Sequence, residues 1–406
     1  MDPCGPAHPI VSAAVAVRLD RVRAPPVRQG RDVTTTAPGP TEQERQPERT
    51  YPDRTQASDA LTRVPASDAP YDALLVLSFG GPEGQADVIP FLANVTRGRG
   101  IPPERLEEVA GHYRHLGGVS PVNEHARRLV TALAAAQALP VYGGNRNWAP
   151  YVTDTLREMG AGGVRRALCF VTSAFPSWSG CRQYREDLGR ARATLLAEGA
   201  PVPVVEKLRH FGTHPAFLGL VHAATRAAVE RLGEHPERLV FTAHSIPTSM
   251  ADTSLYEARL REAAAAVAAR LDVAWELVWQ SRSGPPSVPW LAPDVSDAVE
   301  DWYAGGLRSM VVVPLGFVSD HVEVVWDLDT ELAERVAALP GLRWERAGTP
   351  GTDPDPGYVR LVLDLVGERV RGDRAGATPP GVRGASGPTP DACPLGCCPG
   401  SARPAR

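Results

Sequence analysis

Lysine is almost missing from this chain: Lys207 stands alone beside abundant arginine, and no Lys/Arg-dense stripe appears. With a formal net charge of −4, the chain offers no row of cations to set against nucleic-acid phosphates. Long apolar runs are missing as well. The longest, Met310 to Val318, falls far short of the ~20 residues a membrane-spanning helix needs, so no integral membrane segment is expected. Ile10 to Val17 is apolar and small, but Asp2 rather than a basic stretch precedes it, a poor fit to a signal peptide. Neither G-x-G-x-x-G nor a P-loop occurs, which leaves nucleotide binding little support. These absences point to a cytoplasmic protein acting on a neutral or anionic small molecule.

What is present is enough chain for two domains: 406 residues, 43% of them hydrophobic. Residues 1–68 hold ten prolines and one aromatic, Tyr51, too little apolar surface to offset chain entropy, and are expected to be a disordered tail. Residues 372–406 read as a Gly/Pro/Arg-rich linker leading to a cysteine cluster. Between them, apolar runs such as Ala73 to Ser78, Leu239 to Ala243 and Ser309 to Leu315 alternate with amphipathic segments such as 183–197 and 215–232. Continuous apolar strands separated by helices imply parallel sheets covered on both faces, an α/β fold. The spacing predicts two doubly wound domains facing a cleft, with expected bounds 70–173 and 174–344 and a segment near 345–370 packing back on the first. In such folds ligands sit beyond the carboxyl ends of the strands.

Two strand ends carry candidate chemistry. His244 follows Leu239 to Ala243 and precedes Ser-Ile-Pro, so its imidazole is either a ligand or base at the rim or a residue that merely caps a turn. After Ser309 to Leu315 come Glu323, Asp327 and Glu331, four apart and therefore on one helical face. Such a row repels itself without a cation nearby. The competing readings are a solvated acidic face and, for Glu323, one half of a capping box with Asp320. Imidazole and carboxylate together suit Fe²⁺, Co²⁺ or Zn²⁺. Arg97 is a candidate to pair with ligand carboxylates. Six cysteines in so long a chain, three crowded at Cys393, Cys397 and Cys398, look more like a metal clip than a disulfide framework. Cys169 reads as a core residue, and Cys4 lies in the tail.

The segments LLVLSFGGPEG, HYRHLGGVSPVNE, YGGNRNWAP, FTAHSIP, PWLAP and PLGFVSDHVEVVWDLDTE, in this order, resemble the ferrochelatases over about residues 71–370. The resemblance implies two chelatase-type, Rossmann-like domains with parallel sheets flanking a porphyrin cleft, and insertion of Fe²⁺ as the substrate metal. His244 then matches the catalytic histidine, Glu323 its partner carboxylate, and Asp327 and Glu331 an acidic track for metal or protons. The chain resembles the actinobacterial branch, which implies coproporphyrin III as substrate, Ser120 and Tyr184 as porphyrin-binding positions, and Phe79 where related enzymes carry a tyrosine under the ring. It also implies that the product passes to the next haem-pathway enzyme, and a monomer is expected. Protoporphyrin IX, a cobalt or nickel chelatase and a non-catalytic tetrapyrrole carrier are the alternatives. Some ferrochelatases hold a [2Fe–2S] cluster with one internal and three C-terminal cysteines, which would be Cys181, Cys393, Cys397 and Cys398; a four-thiolate zinc site and unligated thiols are the other readings.

Overall fold

The computed structural model describes residues 70–97, 101–353, 356–375, 393–394 and 396–400. The tail 1–68, Cys4 and most of the linker lie outside the described residues. Among the described residues, eight strands form two sheets: β1 (Ala73–Ser78), β2 (Val141–Asn145), β3 (Arg166–Val171) and β4 (Val204–Lys207), then β5 (Arg238–His244), β6 (Trp275–Gln280), β7 (Ser309–Val313) and β8 (Arg343–Arg346). The first sheet runs β2-β1-β3-β4 and the second β6-β5-β7-β8, with every pair parallel. The two sheets thus share one strand order.

The central strands explain the unbroken apolar runs. All six residues of β1 and all five of β7 are buried, because helices cover both faces and neither face needs polar side chains. The helix Pro215–Leu232 shows how the ends are set. Proline occupies its first turn, His214 Nδ1 accepts from Ala216 N at 3.1 Å, and Gly233 stops it at φ +76°, where a side chain would be strained. The largest apolar cluster joins Leu74, Val76 and Phe170 of the first sheet's strands to Leu239, Phe241 and Trp279 of the second's, so one core runs through both layers.

Two expected boundaries are corrected. Strand β4 pairs with β3, so the first sheet continues to Lys207 instead of ending at 173, and the second begins with β5. A four-residue, half-polar edge strand carries no pattern that says which sheet it joins. The last helix, Pro356–Ala375, runs past 372, where the linker was expected to begin. It packs on Pro215–Leu232 and also on Val122–Ala136, and so ties the two layers together through buried Tyr358, Leu361, Val362 and Leu365. Strand β8, Arg-Trp-Glu-Arg, had no apolar signal and was not foreseen. Among the described residues, no helix is long and apolar enough to cross a membrane.

Candidate active site

Strands β6, β5 and β7 are neighbours, and their carboxyl ends deliver three groups to one rim. β5 ends on His244, paired in register with Gln280 at the end of β6. From β7 the chain passes over β5 at Gly316, whose N–H donates to Thr242 O at 2.9 Å. A Cβ there would stand 2.5 Å from Ala243 Cβ, so only glycine lets the two backbones come so close. The chain then enters the short helix Val322–Trp326 with Glu323 in its first turn. His244 Nε2 lies 3.8 Å from Glu323 Oε2, and His321 Nδ1 lies 3.9 Å from the same oxygen.

The capping-box reading of Glu323 finds no side-chain cap bond. Asp320 does not cap the helix: its carboxylate accepts from both Nη atoms of Arg346, at 3.2 and 3.1 Å, and from Thr349 Oγ1 at 2.9 Å. Glu323 is aimed at two imidazoles. Burial opposes a charge on His244, but the Glu323 carboxylate outweighs it and raises the histidine's pKa above the usual 6.5. Burial likewise opposes the Glu323 charge, and His244 with His321 overcomes it, lowering the carboxyl to about 2. Glu323 keeps 47% of its side chain open to the cleft, so water screens part of that attraction and the direction matters more than its size. His321 goes the other way, its pKa lowered by burial.

Behind this trio stands the acidic row. Asp327 accepts from Ser281 Oγ and from Gln280 Nε2, the latter at 3.3 Å. Its pKa rises to about 7, first through burial and then through repulsion from Glu323 and Glu331, against the Ser281 hydrogen bond. The helix does not continue as a regular α-helix: Asp327–Leu332 forms a widened, π-helical turn. Glu331 accepts from Trp326 Nε1 at 2.8 Å, and the Trp326 ring stacks on His112 at 4.1 Å with planes 8° apart. His112 sits on the helix Pro103–His115, and Val322 packs with Phe91, Leu92 and Tyr113, so elements before and after β4 meet beside Glu323.

The remaining candidates belong to the half of the chain that holds the first sheet. Phe79 follows β1 40% exposed, edge-on to Phe91. Ser120 is buried against Gly81, and Arg97 is exposed at the end of the helix Val88–Thr96. Tyr184 is only 3% exposed within the first sheet's core, its ring covered by the Arg146 guanidinium at 4.5 Å. It therefore lies beneath the rim rather than on it. Sequence reasoning missed His321, His112, Gln280 and Ser281. His321 alone had a legible signal, an imidazole two residues before the first carboxylate of the row.

A second cluster lies apart from the rim. Cys181, in the π-helical turn Trp178–Arg182, brings its sulfur together with Cys393 Sγ and a nitrogen of His210, all within 4.8 Å of one another. Cys397 and Cys398 place their sulfurs 3.5 Å apart, and Arg182 holds the segment by donating to Cys397 O at 3.4 Å. None of these cysteines is in a disulfide. The Cys393 contact drives the Cys181 thiol well below its ordinary pKa, while burial pushes Cys398 up to about 12. Beside the Cys181 sulfur stand one further sulfur, Cys393 Sγ, and one imidazole nitrogen, a set of the kind that can hold a metal ion. Cys169, buried in β3 and pushed up to about 12, is the core residue expected of it.

Two parallel sheets of one strand order, with imidazole and carboxylate meeting at their carboxyl rim, define a chelatase-type α/β protein. The ferrochelatase family profile matches residues 71–370, and the chain belongs to that family. It is 50% identical over 358 residues to the coproporphyrin III ferrochelatase of Streptomyces griseus, covering 82% of this chain and 95% of that protein. It is 52% identical over 314 residues to the coproporphyrin III ferrochelatase of Mycolicibacterium smegmatis, covering 74% and 91%, and 49% identical over 338 residues to a ferrochelatase of Rhodopirellula baltica, covering 81% and 93%. Among solved structures, SirB from Bacillus subtilis with Fe³⁺ aligns at a TM-score of 0.49 and 10% identity, over 75% of this chain and 98% of that one.

Proposed function

We propose that this protein inserts Fe²⁺ into coproporphyrin III, with His244 and Glu323 as the groups that handle the metal and the pyrrole protons. The observation that carries the reading is the 3.8 Å approach of His244 to Glu323 at adjacent strand ends, inside the segment matched by the family. The choice of porphyrin rests on the names of relatives that share about half their residues with this chain.

The chemistry needs these residue types. Two N–H protons must leave the macrocycle as the metal enters, so the site needs a base that takes a proton and ligands that let the metal go. Imidazole and carboxylate do both near neutral pH, where a thiolate cage would hold the metal too long. His244 takes a pyrrole proton and Glu323 stabilises the imidazolium that forms. Asp327, with a pKa of about 7, is matched to accept that proton and release it toward Glu331. Bending the ring requires contacts around its rim, for which Phe79, Ser120 and Arg97 are the candidates, with Tyr184 supporting them from below through Arg146. At the second cluster, Cys181, Cys393, Cys397 and Cys398 would hold a [2Fe–2S] cluster, which supplies one-electron redox chemistry when bound. We place the reaction in the cytoplasm, in a monomer that hands its product on.

Anaerobic assay of the purified protein with Fe²⁺ and either coproporphyrin III or protoporphyrin IX, followed by porphyrin absorbance, tests this. Faster metallation of coproporphyrin III is expected. A preference for protoporphyrin IX would reverse the substrate assignment, and metallation of neither would sink the reading. His244→Ala and Glu323→Gln are each expected to lower turnover by about 10²–10⁴-fold, the usual contribution of a positioned base, while porphyrin binding persists.

A further inference from the structure

His210 takes no part in the chemistry at the rim, yet it is only 6% exposed and neither ring nitrogen meets an oxygen or nitrogen hydrogen-bond partner among the described residues. A neutral imidazole carries one N–H donor and one lone pair, and burying them unpaired is unfavourable by about 1–3 kcal/mol per group. What the ring faces is sulfur, for one of its nitrogens lies within 4.8 Å of both Cys181 Sγ and Cys393 Sγ. A cavity of 330 Å³ adjoins the set, lined by His210, Cys393, Cys397 and Cys398 among others, which leaves room for more than a single ion. Lys207, the chain's one lysine, ends β4 three residues earlier, with its Nζ donating to Leu208 O at 2.9 Å.

Four cysteines already complete the ligand set of a two-iron cluster, so a fifth group facing the same sulfurs has a different use. A thiolate-bound cluster carries net negative charge, and reduction makes it more negative. A hydrogen bond to a ligand sulfur and a nearby cation both favour the reduced form, which raises the reduction potential. We propose that His210 donates an N–H hydrogen bond to the Cys181 sulfur and, together with the Lys207 cation, sets the reduction potential of the cluster held at this site. His210 is here a positioning residue, and the proposal rests on the four-thiolate reading above.

The test uses the full chain, reconstituted anaerobically with iron and sulfide, and follows the reduced cluster by electron paramagnetic resonance in a redox titration. Wild type is compared with His210→Leu, which removes the donor, and His210→Asn, which keeps an N–H. Lys207→Met and Lys207→Arg remove and keep the cation. The potential is expected to move negative in His210→Leu and Lys207→Met, and to stay near wild type in His210→Asn and Lys207→Arg. A cluster signal whose potential is unmoved in His210→Leu would overturn the proposal and leave the cluster standing. So would strong ¹⁴N coupling lost in His210→Leu, since the ring would then be a ligand. A reconstituted wild type with no cluster chromophore would overturn the cluster reading and the proposal with it. If His210→Leu fails to fold, Lys207→Met and His210→Asn still decide, because the first must shift the potential and the second must not.

Discussion

Replacing Asp327 with asparagine is expected to stabilise the metal-free protein, and to do so increasingly as the pH rises. In the folded protein the Asp327 carboxyl ionises near 7, against 3.8 when free. Between those values the unfolded chain has released a proton that the folded chain still holds, so stability falls as pH rises from about 4 and levels off above 7. Each pH unit of displacement is worth about 1.4 kcal/mol, which makes the upper bound about 1.5 kcal/mol at pH 5 and about 4 kcal/mol at pH 8. Water in the cleft lowers both figures without changing their order. Asparagine keeps an oxygen to accept from Ser281 and cannot acquire the charge that Glu323 and Glu331 repel. Urea titrations of wild type and Asp327→Asn from pH 5 to pH 8, with divalent cations chelated, measure the difference directly. The gap between the two proteins is expected to widen over that range by about 1–2.5 kcal/mol, the upper figure being the unscreened limit. A gap that stays constant with pH would refute the argument, because it would mean that Asp327 is not held protonated by its surroundings.

Other consequences are open to measurement. In an NMR titration His244 is expected to gain its proton above pH 6.5, and Glu323→Gln to move that midpoint down, since removal of the carboxylate leaves burial unopposed; an unmoved midpoint would break the proposed pairing. Gly316→Ala forces a Cβ against Ala243, displaces the chain leading to Glu323, and is expected to lower turnover about 10²-fold, the effect of roughly 1 Å of misplacement, and to cost about 1–3 kcal/mol of stability. Wild-type turnover in this variant would show that the close approach does not position the site. Trp326→Ala removes both the stack on His112 and the hydrogen bond to Glu331, with an expected loss of about 0.5–1.5 kcal/mol from the stack, read by denaturant titration.

The central strands were legible because burial on both faces writes them as unbroken apolar runs: β1 falls on the residues expected, and the helix Pro215–Leu232 announces itself by a proline at its start and a glycine at its end. Strands β4 and β8 lie at the sheets' edges, where polar side chains are tolerated and period carries little information, so one was placed in the wrong layer and the other missed. At the rim, sequence placed His244 and Glu323 after strands of the same half. That β5 and β7 are neighbours, and that Gly316 lets one chain cross the other, are facts of pairing and packing. His210 was illegible for the same reason. Nothing in its neighbourhood along the chain signals sulfur, because the cysteines it faces come from residues 181 and 393.

The repeated strand order makes β1 the counterpart of β5, and the two strands end on unlike groups. Where β5 offers His244, β1 leads into Phe79. A flat macrocycle held between such rims would meet hydrocarbon on one side and titratable groups on the other, so its two faces would not be interchangeable. Incoming metal and outgoing protons would then share a single doorway. Like charges cannot crowd that doorway at once, which would force them to take turns, and a carboxyl poised near neutrality beside Glu323 is well suited to keep the order.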